Sequence, residues 1–326
     1  MQPKAKKLKL ASYSPRTGLS LEQNKERKSF KGLSSILDRY KHVFFLLPSV
    51  IIFAVFMFWP LLYTIYLSFF DWNMIRPTRN FVGFDHYISI FTSEQSLRVL
   101  GNTFLYIGIL LALNFVMPYI LAFALNVIIT KFKNFFKPAL FIPSILSMVV
   151  GSMIYLWILN PVTGPVASVF NWFGLDMPTW SRTQGWVIVA ISLITTWKIF
   201  GYNFIVLLGG VSGVPDDVIE STKVDNIPLH KVFLNIILPM SSAVGVYVFI
   251  MTIVQGMQFV FIPIAILTQG GPDWHSSNLV YQAYHEAFVV FNTGRGAAFS
   301  VLTLILFGFL LWLEFRFVER GTYYEN

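Results

Sequence analysis

The sequence predicts an all-α, polytopic membrane protein with six transmembrane helices, and three observations carry that prediction. Of its 326 residues 55% are hydrophobic and only 12% are charged, and the mean hydropathy of +0.63 departs from soluble composition toward a chain that lives in lipid. Six apolar segments are each long enough to cross a ~30 Å hydrocarbon core as helix. The basic residues sort to one side when those segments are threaded through a membrane. The chain has no cysteine, which removes disulfides, thiolate zinc sites and cysteine nucleophiles together.

Taken in order, residues 1–41 form a basic arm. Its lysines and arginines, from Lys4 to Lys41, outnumber Glu22, Glu26 and Asp38 by the whole net charge of the chain, +8. The scarcity of large apolar residues before Ile36 predicts disorder to about residue 30. Lacking interleaved aromatics and an attached soluble domain, the arm suits anionic lipid and not nucleic acid. The apolar run that follows is too long for a cleavable signal and lacks a small-residue cleavage site. The expected spans are Val43–Phe70, Gly101–Ile129, Pro138–Leu159, Trp186–Leu208, Ser241–Leu267 and Ala297–Val318. Pro48 and Pro60 give the first span places to bend, and a loop from Asp71 to about Arg98 separates it from the second.

Orientation follows from the charges. With the N-terminus inside, the inner face collects the arm together with Lys131, Lys133, Lys137, Lys223, Lys231, Arg316 and Arg320. The outer face collects Arg76, Arg79, Arg98, Arg182 and Arg295. Both termini, including a short tail at 321–326, and the polar segment 211–239 then face the cytoplasm. That segment reads as an elbow. Pro215 presets φ for the first helical position, and Asp216 and Asp217 sit at the positive end of the helix dipole. Asn226 tolerates the left-handed conformation that stops the helix, and Pro228 opens a second helix to about Leu238. The second helix mixes His230, Lys231 and Asn235 with Val232, Phe233 and Ile236, a pattern suited to a membrane surface.

Glu220-Ser221-Thr222, then Asn226, then Ile236-x-Leu238-Pro239 resembles the EAA signature of binding-protein-dependent ABC importer permeases. Ser221 and Thr222 stand where that family carries two alanines, and Asn226 where it carries glycine. Trp59-Pro60, Asp71-Trp72, Asn80 to Phe84, Asn102-Thr103, Phe141-Ile142-Pro143 and Gln269-Gly270-Gly271-Pro272, in that order, are similar to sugar-importer permeases of the maltose and glycerol-phosphate type. The similarity runs from about residue 43 to about residue 318. It implies a type I ABC importer permease fold over 42–320, in a bacterial or archaeal cytoplasmic membrane. It also implies that the first elbow helix docks on an ATPase, with Asp216, Asp217, Glu220, Ser221, Thr222, Asp225 and Asn226 as coupling residues. The implied partners are a second, different permease, two ATPase subunits that bind ATP and magnesium, and an extracytoplasmic binding protein. The implied substrate is a carbohydrate, with a glycerol phosphodiester as the alternative.

Catalytic readings find little support. No GxxxxGK[ST] loop is present, so ATP has no P-loop here. His285-Glu286 begins like HExxH, but position 289 is Val. The other histidines are scattered, so no metal, cofactor or catalytic residue is expected, and an integral-membrane enzyme is the weaker alternative. Glu314, near the inner end of the last span, is the exception to a lack of carboxylates at membrane depth. Lys198 falls at the middle of the fourth span, where a lysine costs roughly 2.5–3.5 kcal/mol. Two readings of it stay open. Either it faces a translocation cavity with Tyr202 and Asn203, or it meets backbone carbonyls or a partner's acid. In the fifth span Thr252, Gln255 and Phe259 share a helix face, with Gln258 a little round from it. Relatives of the maltose permease use this helix for sugar contacts.

Overall fold

A computed structural model describes residues 45–129 and 133–317. The predicted arm 1–41 and tail 321–326 lie outside the described residues. These fall into two compact units that part between Leu62 and Tyr63, each taken by itself. In the first, residues 45–62 open helix α1 (Phe45–Leu67), shorter at both ends than the expected Val43–Phe70. Phe45, Val50, Phe56 and Trp59 are exposed, as befits a helix whose solvent is lipid. A π turn, Ala54–Phe58, stands two residues before Pro60. Proline has no N–H for the helical ladder, and the ladder widens to accommodate it. The same arrangement recurs before Pro118, after Ala112–Val116, and before Pro239, after Phe233–Ile237.

In the second unit the stretch expected as a loop, Asp71–Arg98, is structured. Strand β1 (Phe70–Asp71) pairs antiparallel with β2 (Asn80–Phe81), Phe70 opposite Phe81 and Asp71 opposite Asn80. Helix α2 (Asp85–Thr92) follows, and the next helix, α3 (Glu94–Ile128), is already under way at Arg98. The reason for the discrepancy is plain. Hydropathy marks where lipid begins, whereas α3 is 35 residues long, about 52 Å, and its first turns stand beyond a ~30 Å core.

The expected third span is not one helix. Helices α4 (Lys133–Ile145) and α5 (Met148–Ile158) meet at a bend of 99°. Pro138 and Pro143 lie inside α4, each withdrawing a backbone donor, and Ser147 is extended, so the chain leaves the helical path there. Helix α6 (Pro165–Trp172) leads on to α7 (Trp186–Ser212). Two short helices, α8 (Asp216–Val224) and α9 (Leu229–Met240), make the elbow. Then come α10 (Ser242–Thr268), α11 (Leu279–Tyr284), the π turn His285–Val289, and α12 (Thr293–Phe317). Among the described residues α1, α3, α7, α10 and α12 are long and apolar enough to cross a membrane, and the bent pair α4/α5 adds a sixth when it is counted as one span.

Helix α7 is the axis of the bundle. Its Phe204 and Leu207 pack with Tyr119 of α3, Val248 of α10 and Ile219 of the elbow. Nearer its start, Ile191 packs with Tyr106 and Met257. Close approach between membrane helices relies on small residues and polar bonds, and α7 uses both. A Cβ at Gly201 would overlap the backbone carbonyl of Leu140 in α4, so the crossing exists only because position 201 is glycine. Gly201→Ala should therefore lower the thermal midpoint of the purified chain in detergent, by the equivalent of about 1–3 kcal/mol. An unchanged midpoint would show that α4 and α7 can part without cost.

Candidate functional site

The elbow is built from local chemistry. Pro215 turns out to be the N-cap of α8, one residue earlier than expected, with extended ψ. Asp216 and Asp217 occupy the first turn, where the dipole favours negative charge. At the other end Asn226 is left-handed, φ 51°. The Asn226 N–H donates to Lys223 O at 3.3 Å and the Ile227 N–H to Thr222 O at 3.0 Å. This pair of bonds is a Schellman stop, and it is the conformation expected of Asn226. Ile219 and Thr222 are buried, so α8 is fastened to the bundle by one face. The opposite face exposes Asp216, Asp217, Glu220, Ser221 and Asp225. Val224, at 79%, and Leu229 are exposed in the same segment. Exposed apolar side chains on an acidic segment offer a surface that another protein can cover. The sequence reading missed those two apolar residues, and only their exposure marks them.

Within the bundle the candidate path residues separate into a cavity group, a buried group and Gln258, which belongs to neither. Lys198, Tyr202, Gln255 and Phe259 line one cavity of about 280 Å³ with Phe141 and Ser144. Asn203 and Thr252 do not reach it. Asn203 Nδ2 donates to Thr252 Oγ1 at 2.9 Å and to Asn114 O at 2.7 Å, and Asn114 Nδ2 donates to Thr196 Oγ1 at 2.9 Å. All three of Asn203, Thr252 and Asn114 are buried. They form a knot that ties α3, α7 and α10, because a polar side chain inside a membrane bundle is held by another. Gln258 is exposed, away from the cavity wall. On and just after α5, Tyr155 packs edge-on to Trp197, and Asn160 Oδ1 accepts from the backbone N–H groups of Val162 and Thr163.

Lys198 meets backbone carbonyls. Its ammonium donates to Ser144 O and to Leu146 O, while Ser144 Oγ donates back to Lys198 O at 2.9 Å. Those two acceptors stand at the bend between α4 and α5, where the helical ladder has run out. The ring of Phe259 lies 6.0 Å from the ammonium.

At the opposite end of the bundle from the elbow, residues 269–278 form a tightly held loop containing a cis Gly271–Pro272 bond. Asn102 Nδ2 donates to Trp274 O at 2.9 Å and Ser277 O at 3.0 Å, and Tyr106 Oη donates to Ser276 O at 2.9 Å. Arg98 pairs with Asp273 and with Glu94. Burial, then the charge of Arg98, holds the His275 imidazole below its ordinary pKa, with Asp273 opposing. The Asn102-Thr103 and Gln269-to-Pro272 motifs, far apart in sequence, are two halves of one structure. Among the described residues no three His, Cys, Asp or Glu side chains gather to hold a metal ion.

Comparison with known proteins decides what this architecture is related to. No family model matches the chain. A Bacillus subtilis protein named as a probable ABC transporter permease, YurN, is 27% identical over 280 residues, covering 85% of this chain and 95% of the relative. The chain is a homologue of ABC transporter permeases. The sn-glycerol-3-phosphate transport system permease UgpA of Agrobacterium fabrum is 25% identical over 278 residues, 85% of this chain and 94% of its own. A chain of the crystal structure of a bacterial ABC transporter that imports the acidic polysaccharide alginate superposes with a TM-score of 0.73. It covers 89% of this permease and 99% of its own length at 22% identity, so the two share a fold.

Two substitutions test the site. Lys198→Met leaves two carbonyls without a donor and should cost about 1–3 kcal/mol for each, read as a lower thermal midpoint, while Lys198→Arg keeps most of it. A parental midpoint in Lys198→Met, with altered choice between neutral and anionic substrates, would instead give Lys198 to the path. Asn226→Gly should match the parent, whereas Asn226→Val should lose about 1–2 kcal/mol at positive φ, seen as faster proteolysis at the elbow. Equal cleavage of the two variants would contradict the left-handed stop.

Proposed function

We propose that this permease forms, with a second and different permease, the membrane pathway of an ATP-driven importer for a carbohydrate. A binding protein outside the cell delivers the substrate, and two ATPase subunits inside bind ATP and magnesium. The observation that carries the reading is the elbow, an acid-edged helix fastened by one face and stopped by left-handed Asn226. Its buried residues Ile219, Val232 and Ile237 belong to the same core as Tyr119, Phe204 and Val248 of the spans. A push on α8 therefore reaches α3, α7 and α10 without passing through a flexible joint. The fold shared with an alginate importer and the relationship to permeases of glycerol-phosphate systems support this reading.

In this proposal Asp216, Asp217, Glu220, Ser221, Thr222, Asp225 and Asn226 build the docking helix, with Val224 and Leu229 as its apolar contacts. Tyr202, Gln255 and Phe259 face the substrate. Lys198, from the same cavity, shapes that wall by holding the bend. Asn203 and Thr252 hold the helices in register, and Gln258 faces outward. Both termini and the elbow lie in the cytoplasm of a bacterium or archaeon, as the basic residues direct.

Glu220→Lys is the sharpest test, because Glu220 is exposed and its reversal leaves the chain's own stability within about 0.5 kcal/mol. Reconstituted with its ATPase and binding protein, the variant should assemble poorly and lose binding-protein-stimulated ATP hydrolysis, since like charges across an interface cost several kcal/mol. Parental stimulation and transport would remove α8 from the coupling role.

A further inference from the structure

Among the described residues Glu314 is a buried acid that the proposed function does not use. Glu314 is 4% exposed, and neither of its carboxylate oxygens has a hydrogen-bond partner among the described residues. It lines a half-open cavity of about 240 Å³ with Phe115 and Tyr119 of α3, Leu238 of α9, and Ser242, Val246 and Phe249 of α10. Ser242 Oγ is also buried and has no hydrogen-bond partner among the described residues. The Tyr119 hydroxyl is already engaged with Ser241 Oγ at 2.6 Å. The cavity lining contains no Lys, Arg or His. Three oxygens without partners thus belong to residues that line a largely apolar cavity, and a buried carboxylate without a donor is strongly disfavoured.

The depth of the cavity narrows what supplies the donor. Trp312, two residues before Glu314, and Arg316, two residues after it, are both exposed. Tryptophan and arginine at the end of a span are the side chains that settle at the level of lipid headgroups. The facing wall, Leu238 and Ser242, is the join between the elbow and α10, which is again the end of a span. The molecules that crowd this depth are phospholipids, and a primary ammonium carries three N–H donors, one for each free acceptor. A quaternary choline carries none, and a glycerol headgroup brings no positive charge.

We propose that this cavity seats the headgroup of an aminophospholipid, its primary ammonium held by both Glu314 oxygens and Ser242 Oγ. Phe115, Val246 and Phe249 pack on the glyceride. The site depends on a membrane setting but not on what the permease carries.

The test uses the full-length chain, stripped of lipid in detergent and titrated separately with phosphatidylethanolamine, phosphatidylcholine and phosphatidylglycerol, with bound lipid counted by native mass spectrometry. One phosphatidylethanolamine should bind at least about tenfold more tightly than either other lipid, as a charge-assisted site requires, and should raise the thermal midpoint. Glu314→Gln should abolish that preference, and Ser242→Ala should weaken it. Equal binding of the three lipids by the parent chain would overturn the proposal, as would a preference that survives Glu314→Gln. If Glu314→Gln does not fold, the comparison of lipids on the parent chain decides alone. Carbodiimide coupling of Glu314 to a lysine of another subunit in native membranes would also overturn it, by giving the acceptors to a protein.

Discussion

A backbone carbonyl left bare in hydrocarbon costs several kcal/mol, and the break in the third crossing is where that cost falls on this bundle. Two prolines in α4 and an extended Ser147 turn the chain by 99°, leaving carbonyls at and just beyond the end of α4 outside the helical ladder. Lys198 of α7 supplies the missing donors to Ser144 and Leu146. The charge expected to be a burden at mid-membrane is thereby offset, and the weakness of one span is repaired by a neighbour. Glycine at 201 lets α7 approach α4 closely, one turn further along the same face. The approach and the cap are therefore two parts of one contact.

With α4 fixed to α7, the knot of Asn114, Thr196, Asn203 and Thr252 fixes α7 to α3 and α10. Hydrophobic attraction contributes little between helices already surrounded by lipid, so these directional bonds set the register. The cavity bounded by Lys198, Tyr202, Gln255 and Phe259 is what remains between α4, α7 and α10 once that register is set. Its shape depends on the bend, so Lys198 acts on the cavity through geometry.

The elbow and the 269–278 loop hold the two ends of the same helices in different ways. The elbow is joined to the bundle by a shared apolar core, a connection made by packing. The loop is tied by Asn102 and Tyr106 through hydrogen bonds to its backbone carbonyls, a connection that fixes one conformation. The surface pair Arg98 and Asp273 adds little to that rigidity.

The sequence by itself determined what depends on neighbours along the chain. Hydropathy over some twenty residues located the spans, and the Pro215, Asn226 and Pro228 punctuation located the elbow to within a residue or two. The left-handed state of Asn226 was legible because only a few residue types accept it. The structure of 71–98 was not legible, since a two-residue strand and an eight-residue helix give too short a period to read. What tertiary structure alone decided is which polar side chain meets which. Thr252, Gln255 and Phe259 share a helix face by spacing, yet the angle at which α7 crosses α10 turns Thr252 toward Asn203 and leaves Gln255 and Phe259 to the cavity. Lys198 found its partners 52 and 54 residues away, at a break that hydropathy reads as continuous. Helical periodicity states which residues lie side by side on one helix, and it carries no information about the face that a second helix presents to them.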